Sequence, residues 1–135
     1  MRALTSSPLA IFAFYAGLNG LLLLVLSFMT SRMRQKTGIV IGDGGNDALI
    51  RRIRTHGNSS EYVPITLILI YALATLMAPI WLLHTVGATL TFGRLVFAQG
   101  LLHTTKVSPG RVVGMALTWL SLVIASVGVL YFAFI

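Results

Sequence analysis

From Pro8 to Met29 the chain is almost unbroken apolar sequence, and at 1.5 Å rise per residue its roughly 33 Å would cross a bilayer core. The pattern predicts a first transmembrane helix over about 8–29. Thr30 to Asn46 is polar and rich in turn formers, carrying Arg32, Arg34 and Lys36 and then Gly42-Asp43-Gly44-Gly45-Asn46. It reads as a loop in which Asp43, Asn46 or Asp47 caps the next helix. A second helix is expected over about 47–78. Its outer half, Arg51 to Glu61, is polar and sits at the membrane edge, and its inner half crosses the bilayer from Tyr62 to about Ala78. Pro64 removes one backbone hydrogen bond where this helix enters lipid and predicts a kink there.

A third helix over about 81–102 opens with an interfacial Trp81 and contains Arg94, which is costly in hydrocarbon unless it faces the bundle interior or reaches the interface. The fourth, over about 111–134, repeats Gly114, Thr118, Ser121, Ala125 and Gly128 with four-three spacing, a small-residue seam for packing between helices or subunits. Ala13, Gly17 and Gly20 form a similar stripe on the first helix, and Asn19 beside it suits an interhelical hydrogen bond.

Composition fixes the setting of these helices. With 56% hydrophobic and 10% charged residues and a mean hydropathy of +0.89, the 135-residue chain is expected to be an integral membrane protein. We read residues 1–135 as one all-α domain, a membrane four-helix bundle that buries little per subunit and is expected to oligomerise. Arg2 ahead of an apolar run resembles a signal peptide, but the run is too long and lacks a cleavage site, so it is expected to be retained. The net charge of +7 sits beside apolar segments instead of forming a patch interleaved with aromatics, which excludes nucleic acid as the favoured partner. Sorting the charges places the basic loops in the cytoplasm and both termini outside.

The candidate chemistry is concentrated between Arg51 and Pro64. On a helix, Arg51, Arg54, Asn58, Glu61 and Tyr62 share one face, while Arg52 and His56 point elsewhere. A ligand matching that face and Arg94 or Arg111 would offer carboxylates to the guanidinium forks, an amine to Glu61 and amides to Asn58 and Tyr62. A small anionic peptide has this chemistry; the bland alternative is that the basic residues anchor lipid headgroups. With no cysteine, thiol chemistry has to use a substrate's thiol. The glycine-rich loop lacks the Gly-Lys-Ser/Thr ending of a phosphate loop. His56, His84 and His103 lie on separate segments without zinc-site spacing, and no Ser-His-Asp or paired-carboxylate set can be assembled, so no metal is expected.

Arg51-x-x-Arg54-x-x-x-Asn58-x-x-Glu61-Tyr62-x-Pro64 resembles the second-helix signature of the MAPEG family, the membrane-associated proteins in eicosanoid and glutathione metabolism. The Gly-Asp-Gly-Gly loop ahead of it is similar to that of the bacterial branch, and four helices cover essentially the whole chain. The resemblance implies a homotrimer with glutathione as cosubstrate between neighbouring subunits on the cytoplasmic side, and a lipophilic partner arriving from the membrane lipids. Carried over, Arg54, Asn58, Glu61 and Tyr62 match glutathione-contacting positions, with Arg51 on the same signature. Glu61 would take the amino group and Arg54 a carboxylate. Arg111, with Lys106 as a substitute, is nearest to the family's activating arginine. One departure stands out: Phe97 and Leu101 fall where glutathione-using members carry tyrosines. Two placements are open for Arg94, facing the site or pairing with Glu61.

The reading is a glutathione-binding membrane protein, with transferase or peroxidase activity on lipophilic electrophiles as the enzymatic form. The alternatives are a non-catalytic membrane scaffold with the same fold and a small proton-coupled transporter using Glu61.

Overall fold

The computed structural model describes residues 7–135, which form four helices: α1 (Pro8–Thr37), α2 (Asp47–Thr75), α3 (Ile80–His103) and α4 (Pro109–Phe134). Arg2, ahead of the first apolar run, lies outside the described residues. Three of the four helices start on a side-chain cap. Ser7 accepts from the Ala10 N–H at 3.4 Å with Pro8 in the first turn, Asn46 accepts from the Leu49 N–H at 2.9 Å, and Ser108 accepts from the Arg111 N–H at 3.4 Å. Asp43 serves the loop instead, accepting from the Gly45 N–H at 2.8 Å.

α1 does not stop where its apolar run stops. Arg32, Met33, Arg34, Gln35 and Lys36 are all good helix formers, so the helix continues to Thr37, about 12 Å beyond Met29 at 1.5 Å per residue. Gly38 ends it in the left-handed region at φ 70°, with its N–H on the Arg34 carbonyl. Arg34 Nη1 then donates to the carbonyls of Ile39, Val40 and Gly42, at 3.2, 3.1 and 2.8 Å, and folds the loop back on the helix end.

α2 runs unbroken through an exposed Pro64 and stops at Thr75, three residues short of the expected end. Met77 takes φ 56°, and the Ala78 N–H reaches back to the Leu73 carbonyl at 3.0 Å. α1, α3 and α4 are long and apolar enough to cross a membrane. α2 is apolar only in its second half, and residues 62–75 span about 21 Å as helix.

Ile11, Tyr15, Ile70, Leu73, Leu83, Val86, Leu90 and Ala125 belong to one buried apolar cluster. α3 and α4 touch backbone to backbone. A Cβ on Gly114 would overlap the Phe97 backbone and lie 2.7 Å from the Gly93 carbonyl oxygen. Gly114, Thr118, Ser121 and Ala125 are the buried residues of α4, so its small-residue seam packs between helices of one chain. The Ala13, Gly17 and Gly20 stripe is the opposite case: it is exposed, and a Cβ on either glycine meets nothing within 4 Å. Successive helices alternate in direction. The end of α1, the start of α2, the end of α3 and the start of α4 therefore gather eight of the ten basic residues at one pole.

Candidate functional site

At that pole a cavity of about 540 Å³ opens between α2, α3 and α4. Its size is that of a small-molecule site. Arg51, Arg54 and Asn58 enter from one face of α2, as the helical spacing predicts, and Arg111 from the first turn of α4. Phe97 and Leu101 of α3 and Val112, Met115 and Trp119 of α4 form an apolar wall. No carboxylate lines the cavity, so three guanidinium groups give it a positive field.

Two of these arginines are fixed along one edge. Arg51 Nε donates to the Leu102 carbonyl at 3.1 Å, at the end of α3. Arg111 Nη1 donates to the carbonyls of Thr105 and Lys106 at 3.1 and 3.0 Å, so it orders the α3–α4 loop as well as lining the cavity. Each guanidinium keeps further N–H groups for a ligand. Lys106 is exposed and does not line the cavity.

Asn58 links the cavity to the interior. Arg94 is fully buried, and its Nη1 donates to Asn58 Oδ1 at 2.6 Å. Arginine has only donors, so the asparagine oxygen has to face it, and the Asn58 amide nitrogen is left as the donor toward the cavity. Arg94 Nη2 donates to Thr118 Oγ1 and to the Gly114 carbonyl at 3.5 Å, while Nε has no hydrogen-bond partner among the described residues. The guanidinium lies 4.8 Å from the Phe97 ring centroid and 5.9 Å from that of Tyr62, where the ring faces offset part of the lost hydration. Its hydrogen-bond partners among the described residues are neutral and come from α2 and α4, so of the two open placements the pairing with Glu61 is not formed. Arg94 does not reach the cavity surface; it holds a residue that does.

Glu61 and Tyr62 continue the α2 face but do not line the cavity: Glu61 is exposed and Tyr62 half-buried. Within one chain the predicted stripe therefore divides. Arg51, Arg54, Asn58 and Arg111 are together; Glu61, Tyr62 and Arg94 stand outside. Sequence reasoning passed over Val112, Met115 and Trp119. Their three-four spacing beside the α4 seam marks a face next to the packed one, and nothing in their chemistry singles them out.

Comparison with known proteins agrees with this architecture. The MAPEG family profile matches residues 12–131. The chain is 38% identical over 112 residues to the inner membrane protein YecN of Escherichia coli strain K12, covering 83% of this chain and 84% of the relative, and matches YecN of strain O6:H1 equally. No solved structure matches. The family match, an inner-membrane relative and three helices long and apolar enough to cross a membrane make this an integral inner-membrane protein. On these matches, which cover most of its length, the chain belongs to the MAPEG family.

Proposed function

We propose that this protein binds glutathione in the cavity between α2, α3 and α4 and presents its thiol to lipophilic electrophiles or hydroperoxides arriving from the bilayer. One observation carries the reading: three guanidinium groups and an oriented amide donor share a small-molecule cavity whose remaining wall is apolar. The donor set fits a peptide with two carboxylates, because Arg51 and Arg54 offer forks and Asn58 an N–H to a carbonyl or carboxylate oxygen. The apolar wall of Val112, Met115 and Trp119 suits the second substrate. Glutathione supplies a thiol of ordinary pKa near ~8.5, and the positive field of Arg111 favours its thiolate.

Within one chain Glu61 lies on the exposed surface, so its contact with the ligand's amino group requires a neighbouring copy. We therefore place the site in a homotrimer, and the unpacked Ala13, Gly17 and Gly20 stripe supports association between copies. The positive-inside rule assigns the basic pole to the cytoplasm. The same exposure counts against a transporter, which needs Glu61 within a pore. The scaffold reading has one specific support, the apolar Phe97 and Leu101 in the cavity wall.

The test is a glutathione titration of the detergent-purified protein, with heat and ultraviolet thiolate absorbance followed together. Glu61→Gln is expected to weaken binding, and Arg111→Ala to spare binding while reducing the thiolate signal. Equal loss of both properties in both variants contradicts this division of roles; binding without thiolate in the wild type leaves a binding protein without catalysis, and neither signal in a folded, oligomeric protein assigns the scaffold.

A further inference from the structure

A second cleft, of about 100 Å³, opens at the basic pole between the end of α1 and the start of α2. It is lined by Met29, Arg32, Met33, Lys36 and Arg52, none of which lines the larger cavity. Three cations thus converge with no carboxylate in the cleft wall. Arg32 and Lys36 stand one turn apart on α1, a like-charge spacing that is unfavourable in a bare helix. Their place near the helix C-terminus offsets that cost, but the same reasoning does not cover Arg52. Arg52 comes from the second turn of α2, the positive end of its helix, and its Nη1 is fixed on the Ala48 carbonyl at 2.8 Å. Folding therefore adds a third positive charge where two already repel. Arg34, by contrast, is spent on loop carbonyls.

An anion at this point relieves the repulsion, and the surroundings identify its kind. Met29 and Met33 give the cleft an apolar side. One and three turns further into the membrane, on the same face of α1, lie exposed Val25 and Leu18. An apolar track thus leads up the helix into a cluster of cations, the layout of an amphiphile with an anionic head. We infer that this cleft is a headgroup site for an anionic phospholipid, with its acyl chains along Leu18, Val25 and Met29. The inference is independent of glutathione binding.

The test uses the full chain, delipidated in nonionic detergent and titrated with short-chain phosphatidylglycerol, with phosphatidylcholine of the same chain length, or with inorganic phosphate. Phosphatidylglycerol is expected to bind saturably and the other two not. At about 1 kcal/mol per basic residue near an anionic surface, Arg52→Gln or the exposed-site variant Lys36→Gln should weaken it about fivefold, and the two together about 25-fold. Lys106→Gln, a basic residue of the same pole outside the cleft, should leave it unchanged. Equal binding of phosphatidylcholine overturns the proposal, as does equal weakening by Lys106→Gln, which would mean diffuse attraction only. Saturation by inorganic phosphate at the same concentration assigns the cleft to a soluble anion and overturns the lipid assignment.

Discussion

Two buried polar contacts hold this bundle together, and they end differently. Between α1 and α3, Asn19 Nδ2 donates to the Tyr15 carbonyl at 2.9 Å and to Thr91 Oγ1 at 2.8 Å, and the Tyr15 hydroxyl meets His84 Nδ1 at 3.1 Å. This set contains no guanidinium and is closed to the cavity. Among α2, α3 and α4, Arg94 binds Asn58 and Thr118, and Asn58 opens onto the cavity. This set is charged and leaves the Asn58 amide nitrogen as a donor toward the cavity. In lipid an interhelical hydrogen bond contributes on average only about 0.6 kcal/mol, so a neutral glue contact is modest. A buried guanidinium without a carboxylate costs more to keep than glue requires. The first contact serves the fold, and the second serves the cavity through the fold.

The difference can be broken at several points. The largest effect is expected from Asn58→Leu, which leaves a buried guanidinium without its 2.6 Å acceptor: a stability loss of about 3 kcal/mol, read by reversible unfolding, together with loss of glutathione binding. Gly114→Ala forces α3 and α4 apart under Arg94 and should cost about 2 kcal/mol, whereas Gly17→Ala, where a Cβ meets no atom of the chain, costs nothing in a subunit by itself. Arg54→Gln removes a charged fork from the cavity without touching the buried contact. It should weaken glutathione about tenfold, or about 1.4 kcal/mol, and shift the unfolding midpoint little. Asn19→Leu sharpens the comparison most: it deletes two hydrogen bonds, is expected to cost under about 1 kcal/mol, and should leave glutathione affinity unchanged.

Much of this was legible in the sequence, for identifiable reasons. Helical spacing placed Arg51, Arg54 and Asn58 together because one face of one helix needs no tertiary knowledge. The end of α1 was misread because hydrophobicity reports the edge of the bilayer and not the end of a helix; Gly38, after a run of good helix formers, was the better stop signal. The α2 end at Thr75 depends on a left-handed Met77, a conformation its side chain does not advertise. Arg94 could be foreseen as interior, but the choice between Glu61 and Asn58 as its partner turns on how α2 is rotated against α3, which periodicity does not give. The α4 seam announced close packing yet not its partner, because Gly93 and Gly100 on α3 look unremarkable until the helices are paired.

The cysteine-free chain allows a direct test of the claim that the cavity is the glutathione site. Val112 lines the cavity and its neighbour Val113 does not, although both are exposed on the first turns of α4. Single variants Val112→Cys and Val113→Cys would be labelled with a thiol reagent, with and without S-methylglutathione, whose own sulfur is blocked. Protection of the cysteine at 112 with no change at 113 is the predicted result. Equal labelling rates at 112 with and without the ligand, in protein shown by calorimetry to bind it, would contradict the account and place glutathione elsewhere.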